Sequence, residues 1–234
     1  MPTLYADTND GYIQGHSTEW GKSRSLGTGT AASSNDDDSP YIVGTQQFTG
    51  RGADTWRITR SFYRFDTSGI SVTPSSATLK IHGKSLENSI VIVVKSSQNS
   101  PLSTADFDAF QADVLTALDD SDGSNGGTLA GISNFTYSSQ FSSGGVNLWD
   151  KDAYNDITLN AYARVNMGSF TVFRLCLMDY THDFLDHAVT FGDGQVWSGG
   201  VFADHSDSSL RPYVDYTAGV AVEADNATFF GANF

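Results

Sequence analysis

Residues 61–83, SFYRFDTSGISVTPSSATLKIHG, constrain the fold of this chain more than any other stretch. Phe62 and Arg64 alternate with Tyr63 and Phe65, and Ala77, Leu79 and Ile81 alternate with Thr78, Lys80 and His82. A period of two is the pattern of pleated strands with one buried face. The intervening Gly69 and Pro74 mark a connection. Strands are therefore expected over 56–66 and 77–83, with others near 41–48, 89–96, 132–137, 170–179, 188–191 and 210–217. The run Ile90-Val91-Ile92-Val93-Val94 lacks alternation, so both of its faces should be covered.

Between the apolar runs lie 23 glycines and many Ser, Thr, Asn and Asp residues. Turn chemistry at such close spacing points to a β-sandwich or barrel. Residues 26–39 read as a mobile acidic loop. One helix is expected from Ser103, whose capping box with Asp106 precedes an apolar stripe of Phe107, Phe110, Val114 and Leu118. A second, weaker helix is expected over Leu159–Val165 with Thr158 as its cap. No repeat or linker divides the 234 residues, so residues 1–217 read as one domain. Residues 218–234 form a tail with Phe229, Phe230 and Phe234. Disordered tails rarely carry such large apolar groups. They should be buried, either on their own domain or on a neighbouring subunit.

Charge excludes some functions. The chain has 13 basic and 27 acidic residues, a net charge of −14. Such a surface repels nucleic-acid phosphates and anionic lipid. The N-terminus lacks the basic-then-apolar order of a signal peptide, and no apolar run reaches membrane-spanning length. Cys176 is the single cysteine, so no internal disulfide forms, and its apolar neighbours make it a buried hydrophobe.

Catalytic motifs are absent: there is no Gly-x-Ser-x-Gly elbow, His-Glu-x-x-His helix or phosphate-cradling loop. The densest polar cluster is His182, Asp183, Asp186 and His187. Two imidazoles and two carboxylates suit a transition metal, but the histidines have opposite strand parity, and a solvated connection is the competing reading. Structural Ca²⁺ is a candidate at Asp36, Asp37 and Asp38, and at Asp119, Asp120 and Asp122 with Asn125, where hard oxygen ligands gather. The second loop can instead simply end the helix, with Gly123 at its cap. Trp56 and Trp149 read as core. Trp20 in a polar stretch and Trp197 in a glycine-rich turn are candidate platforms for a sugar face, with Tyr180 beside them.

With those residues in view, the chain resembles the DNRLRE-type family, a carbohydrate-binding-module-like jelly roll. Arg-Phe-Asp-x-Ser at 64–68 and Ala-Thr-Leu-Lys-Ile at 77–81 match its diagnostic core, ADTNDGYIQG its opening, and RPYVDYT its closing strand. The passage YNDITLNAYARVNMGSFTVFRLCLMD resembles its later helix-to-strand segment. The resemblance implies an all-β jelly-roll β-sandwich with one or two short inserted helices. The Asp-Gly-Tyr and Arg-Pro-Tyr variant resembles copies in bacteriophage virion proteins. It implies a non-enzymatic structural protein on the particle exterior, as capsid decoration, head fibre or tail-associated adhesion module. It would be made in the host cytoplasm, form a homo-oligomer and attach to the major capsid protein or another virion protein, with no required cofactor. In secreted relatives the module binds acidic polysaccharide, so a glycan-binding module is the alternative. The acidic surface is a poor match for a polyanionic glycan, and the terminal Phe-rich tail lies outside the family pattern.

Overall fold

A computed structural model of the chain describes residues 2–34, 38–49, 52–87, 89–109, 129, 132–141, 149–190 and 196–220. In chain order the strands are β1 (Thr3–Tyr5), β2 (Gly11–Ser17), β3 (Ala31–Ser33), β4 (Asp38–Phe48), β5 (Thr55–Asp66), β6 (Ser76–Glu87), β7 (Val91–Lys95), β8 (Tyr154–Thr158), β9 (Val172–Asp179), β10 (Val196–Val201) and β11 (Tyr213–Thr217). Helix α1 (Trp20–Arg24) follows β2, and α2 (Ala161–Ser169) follows β8. Irregular turns occupy Thr104–Asp106, Tyr180–Phe184 and Ser208–Leu210.

The described strands pair antiparallel throughout and make an all-β jelly-roll sandwich. One layer runs β1-β11-β6-β8. The other places β2 along one edge of β5, and β4 then β9 along its opposite edge, with β3 and β7 outermost. Strand β10 joins the layers by pairing with both β4 and β6.

Two cores result. Between the layers, Ala77, Leu79, Ile81, Ile157 and Val214 meet Tyr63, Phe65, Val91, Val93, Phe173, Leu175 and Leu177. Behind the second layer, Ile13, Ile58, Phe62, Ile92, Val94, Cys176 and Met178 are covered by Trp20, Leu102, Phe107, Phe135, Phe184 and Val189. Each large apolar side chain buried this way contributes about 1.5–3 kcal/mol. The expectation that the valine-rich run is covered on both faces holds for β7: Val91 and Val93 enter the first core, Ile92 and Val94 the second. Trp149 is core as expected, its indole N–H donating to the Gly199 carbonyl at 2.8 Å.

Several expectations are corrected. Strand β5 has two buried faces instead of one, because a third layer of loops and short helices lies over the side that carries Phe62. Helix α2 begins at Ala161, and Asn160 caps it by accepting the Ala163 N–H at 2.9 Å. Thr158 cannot cap, because it still belongs to β8, opposite Thr78. The capping box of Ser103 and Asp106 is present, but on a 3-10 turn over Thr104–Asp106; Phe110, Val114 and Leu118 lie outside the described residues. No strand forms over 132–137 or 187–190. Among the described residues, that edge of β7 is met only by isolated bridges, Thr136 to Val94 and Phe141 to Val91. Part of the expected acidic loop is strand: β3 and the start of β4 lie within 26–39. Strands β1, β2, β3, β8 and β10 lie outside the expected spans, being short or rich in glycine and polar residues.

Candidate functional site

Of the polar cluster at 182–187, Asp183 is buried, His182 and Asp186 are partly covered, and His187 is exposed. Arg60 projects from β5 on the face shared with Ile58 and Phe62, because it stands opposite Ile13 of β2. Arg24 comes from the last turn of α1, and Asp183 from the turn that ends β9. All three are completely buried. Arg60 donates to both Asp183 carboxylate oxygens at 2.7 Å, to the Phe107 carbonyl at 3.0 Å and to the Arg24 carbonyl at 3.0 Å. Its guanidinium also lies 4.3 Å from the Phe107 ring centre. Arg24 donates to the Asp183 carbonyl through Nε at 2.9 Å and reaches Asp186 at 2.9 Å. Asp186 adopts a left-handed backbone (φ 60°) and also accepts the Trp20 indole N–H at 2.8 Å.

The electrostatics fit this geometry. Burial opposes charge on Arg60, but the paired Asp183 carboxylate outweighs it and holds the guanidinium above its ordinary value. For Arg24 burial dominates, against Asp183 and Asp186, and its value falls. Arginine guanidiniums stay protonated in proteins. The arrangement therefore ties the loop layer to the sheet, with both carboxylates paired to guanidiniums. The same contacts occupy the side chains that a metal would need at this turn. His182 Nδ1 lies 2.5 Å from the His187 carbonyl, and no group of three His, Cys, Asp or Glu side chains arranged for a metal occurs among the described residues. Asp38 pairs with Lys84 at 2.9 Å. Asp36, Asp37, Asp119, Asp120, Asp122 and Asn125 lie outside the described residues, as do Phe229, Phe230 and Phe234.

The three candidate sugar platforms do not converge. Trp20 is only 6% exposed and belongs to the second core. It reads as a surface residue in sequence because its neighbours are polar, whereas α1 turns its indole inward. Tyr180 is half-buried and stacks on Phe184 at 5.6 Å, against that same core. Trp197 lies on the opposite face of the sheet and in a strand, not a turn.

Trp197 does sit on a polar–aromatic ledge. It stands opposite Gly44 of β4, whose φ of 146° and close approach to the Trp197 backbone leave no room for a side chain. Gly44 pairs in turn with Thr59, and the adjacent row is His16, Arg57 and Gln46. Tyr41 meets the Trp197 ring edge-on at 5.3 Å. The Arg57 guanidinium lies 5.0 Å from the Tyr41 ring centre and 4.9 Å from that of Phe48. Gln46 Oε1, His16 Nε2 and Arg57 Nε are buried without a hydrogen-bond partner. Burial and the Arg57 charge lower the His16 pKa. Tyr41 and Arg57 escape sequence reasoning because only the β4–β10 and β4–β5 pairings bring them to Trp197.

A second aromatic row crosses the outer face of the first layer. Tyr5 is 59% exposed and lies 5.7 Å from Tyr213, which lies 5.1 Å from Tyr154. With Thr3, Ser209 and Asp215 they line a shallow depression of about 500 Å³. Burial and the neighbouring Tyr213 hydroxyl push Tyr154 up to about 12. No protein-family model matches the chain, and no curated protein matches it either.

Proposed function

We propose that this chain is a non-enzymatic structural protein of a bacteriophage particle, displayed on its exterior. The observation that carries the non-catalytic part is the buried Arg24–Asp183–Arg60–Asp186 network. Its Arg24, Arg60 and Asp183 side chains are fully buried and paired with one another, and Asp186, mostly covered, is paired with Arg24. The virion assignment rests on the resemblance of 64–68 and 77–81 to the DNRLRE-type core and on the Asp-Gly-Tyr and Arg-Pro-Tyr signatures. Attachment through the Phe-rich tail to the major capsid protein or another virion protein, in a symmetric homo-oligomer, follows the same reading. Antibody labelling of purified virions in negative stain tests it. Label on the particle surface is the expected result, and a chain lacking 220–234 should remain folded but dissociate from particles. A protein found only in the soluble fraction of the lysate would refute the assignment.

The ledge around Trp197 favours one second reading, a glycan-binding module. Indole and phenol rings beside amide, imidazole and guanidinium groups are the chemistry that holds a sugar by stacking and hydrogen bonding. Specific binding on a glycan array that is lost in Trp197→Ala would favour it over a purely structural role.

A further inference from the structure

A pocket of about 290 Å³ opens at the end of the sandwich away from Trp197, among the end of β7, the start of β9 and the C-terminal end of α2. Its lining includes Lys95, Ser96, Tyr137, Phe170, Thr171 and Arg174. On a chain with 27 acidic and 13 basic residues, this pocket is lined by two cations and no carboxylate. Neither cation has a carboxylate within ion-pair distance among the described residues.

Arg174 makes the imbalance sharper. It stands directly opposite Arg64 in the β5–β9 register, a pairing of like charges that weakens a sheet. Arg64 turns to Asp7 at 3.5 Å, whereas Arg174 has no ion pair among the described residues; the Nε of both arginines is buried without a hydrogen-bond partner. Lys95 is held in place from one side. Its ammonium donates to the Tyr162 hydroxyl at 3.2 Å and lies 5.6 and 5.3 Å from the ring centres of Tyr162 and Phe170. Two of its three N–H donors are left for a ligand.

We propose that this pocket binds a carboxylate carried on a small, partly apolar body. A guanidinium edge matches the two oxygens of a carboxylate, and the ammonium supplies the second charge. The Tyr137 and Phe170 rings take the apolar body. The pocket's volume admits one group of about side-chain or single-ring size. Phe170 caps the C-terminal end of α2, where the helix dipole is negative, which opposes any anion and a phosphate dianion more than a singly charged carboxylate. The site is independent of the virion reading and stands or falls by itself.

The test is titration of the full chain with benzoate, and separately with inorganic phosphate, followed by amide NMR shifts. Benzoate should give saturable shifts centred on residues 95–97 and 170–174, weakening as ionic strength rises. Arg174→Gln should weaken benzoate at least about tenfold, the loss expected for one charge-assisted pair. Arg174→Lys, which keeps the charge without the planar edge, should fall between. Neither substitution should lower the unfolding temperature, since each removes a guanidinium facing Arg64 without breaking an ion pair. Absence of saturable shifts at these residues, or unchanged affinity in Arg174→Gln, would overturn the site. Phosphate binding as tight as benzoate would overturn the choice of carboxylate.

Discussion

Replacing Asp183 by Asn should be among the most damaging single substitutions in this protein. The carboxylate accepts two 2.7 Å bonds from Arg60 and lies 3.7 Å from Arg24 Nε, and all three side chains are fully buried. The amide is nearly isosteric, so packing is retained, but it brings an N–H₂ group against a guanidinium and leaves Arg60 without its counter-charge. Removing one partner of a buried pair costs about 3–5 kcal/mol, far more than the pair contributes relative to an apolar replacement. For a chain of this length each kcal/mol lowers the unfolding temperature by about 2–4 °C, so a fall of roughly 6–20 °C is expected. Urea unfolding by far-UV circular dichroism, with calorimetry beside it, measures both quantities. The double variant Arg60→Met with Asp183→Leu should recover part of the loss, because it leaves no lone charge at that position. A loss under about 1 kcal/mol for Asp183→Asn, or a double variant no better than additive, would refute the view that charge balance holds this layer in place.

Three other outcomes follow from the same structure. Burial raises the Asp10 carboxyl well above the usual range despite the Ala203 N–H, with Asp204 and Asp7 adding to the rise. The folded protein therefore holds that proton to higher pH than the unfolded chain, and stability falls as pH climbs from the ordinary carboxylate range through the raised value. Asp10→Asn should raise the neutral-pH urea midpoint and flatten this decline, whereas a lower midpoint at every pH would contradict it. Cys176 is fully buried and burial drives its thiol well upward, so a thiol-reactive dye should label it only as fast as the protein unfolds; rapid labelling under native conditions would count against this packing. Gly44→Ala should cost about 1–3 kcal/mol by urea denaturation, since the new methyl would lie 2.2 Å from the Val196 carbonyl oxygen and push β4 from β10; a neutral effect would show that pair to be more yielding than its geometry.

The strands that could be read in advance are those whose side chains separate cleanly by parity. In β6, Ala77, Leu79 and Ile81 are buried while Thr78, Lys80 and His82 are partly exposed, so the alternation states its own answer. In β5 the same alternation misleads, since Phe62 and Tyr63 are both buried and only the cover over Phe62, drawn from segments far along the chain, makes that so. Strand β10, with Ser198, Gly199 and Gly200 in a row, carries the composition of a turn and becomes a strand only because β4 and β6 hold it from both sides. The ionic tie was legible as residues but not as a structure. His182, Asp183, Asp186 and His187 are conspicuous by proximity, but Arg24 and Arg60 lie over a hundred positions away and signal nothing by spacing. Trp20 misled for a similar reason: its fate is set by Asp186, not by its neighbours.

The placement of β5 between two cores has a consequence for how the chain avoids wrong pairings. A sheet with one greasy and one wet side can slide by two residues and still hide its oil, at the cost of a few contacts. Here each neighbour in Phe62-Tyr63 answers to a different interior, so a slip of one position sends a phenol into a space shaped for a phenyl ring, and the reverse. A slip of two would draw Arg60 away from Asp183. Hydrocarbon thus forbids the odd displacements and charge the even ones, which leaves this central ribbon a single alignment with its partners.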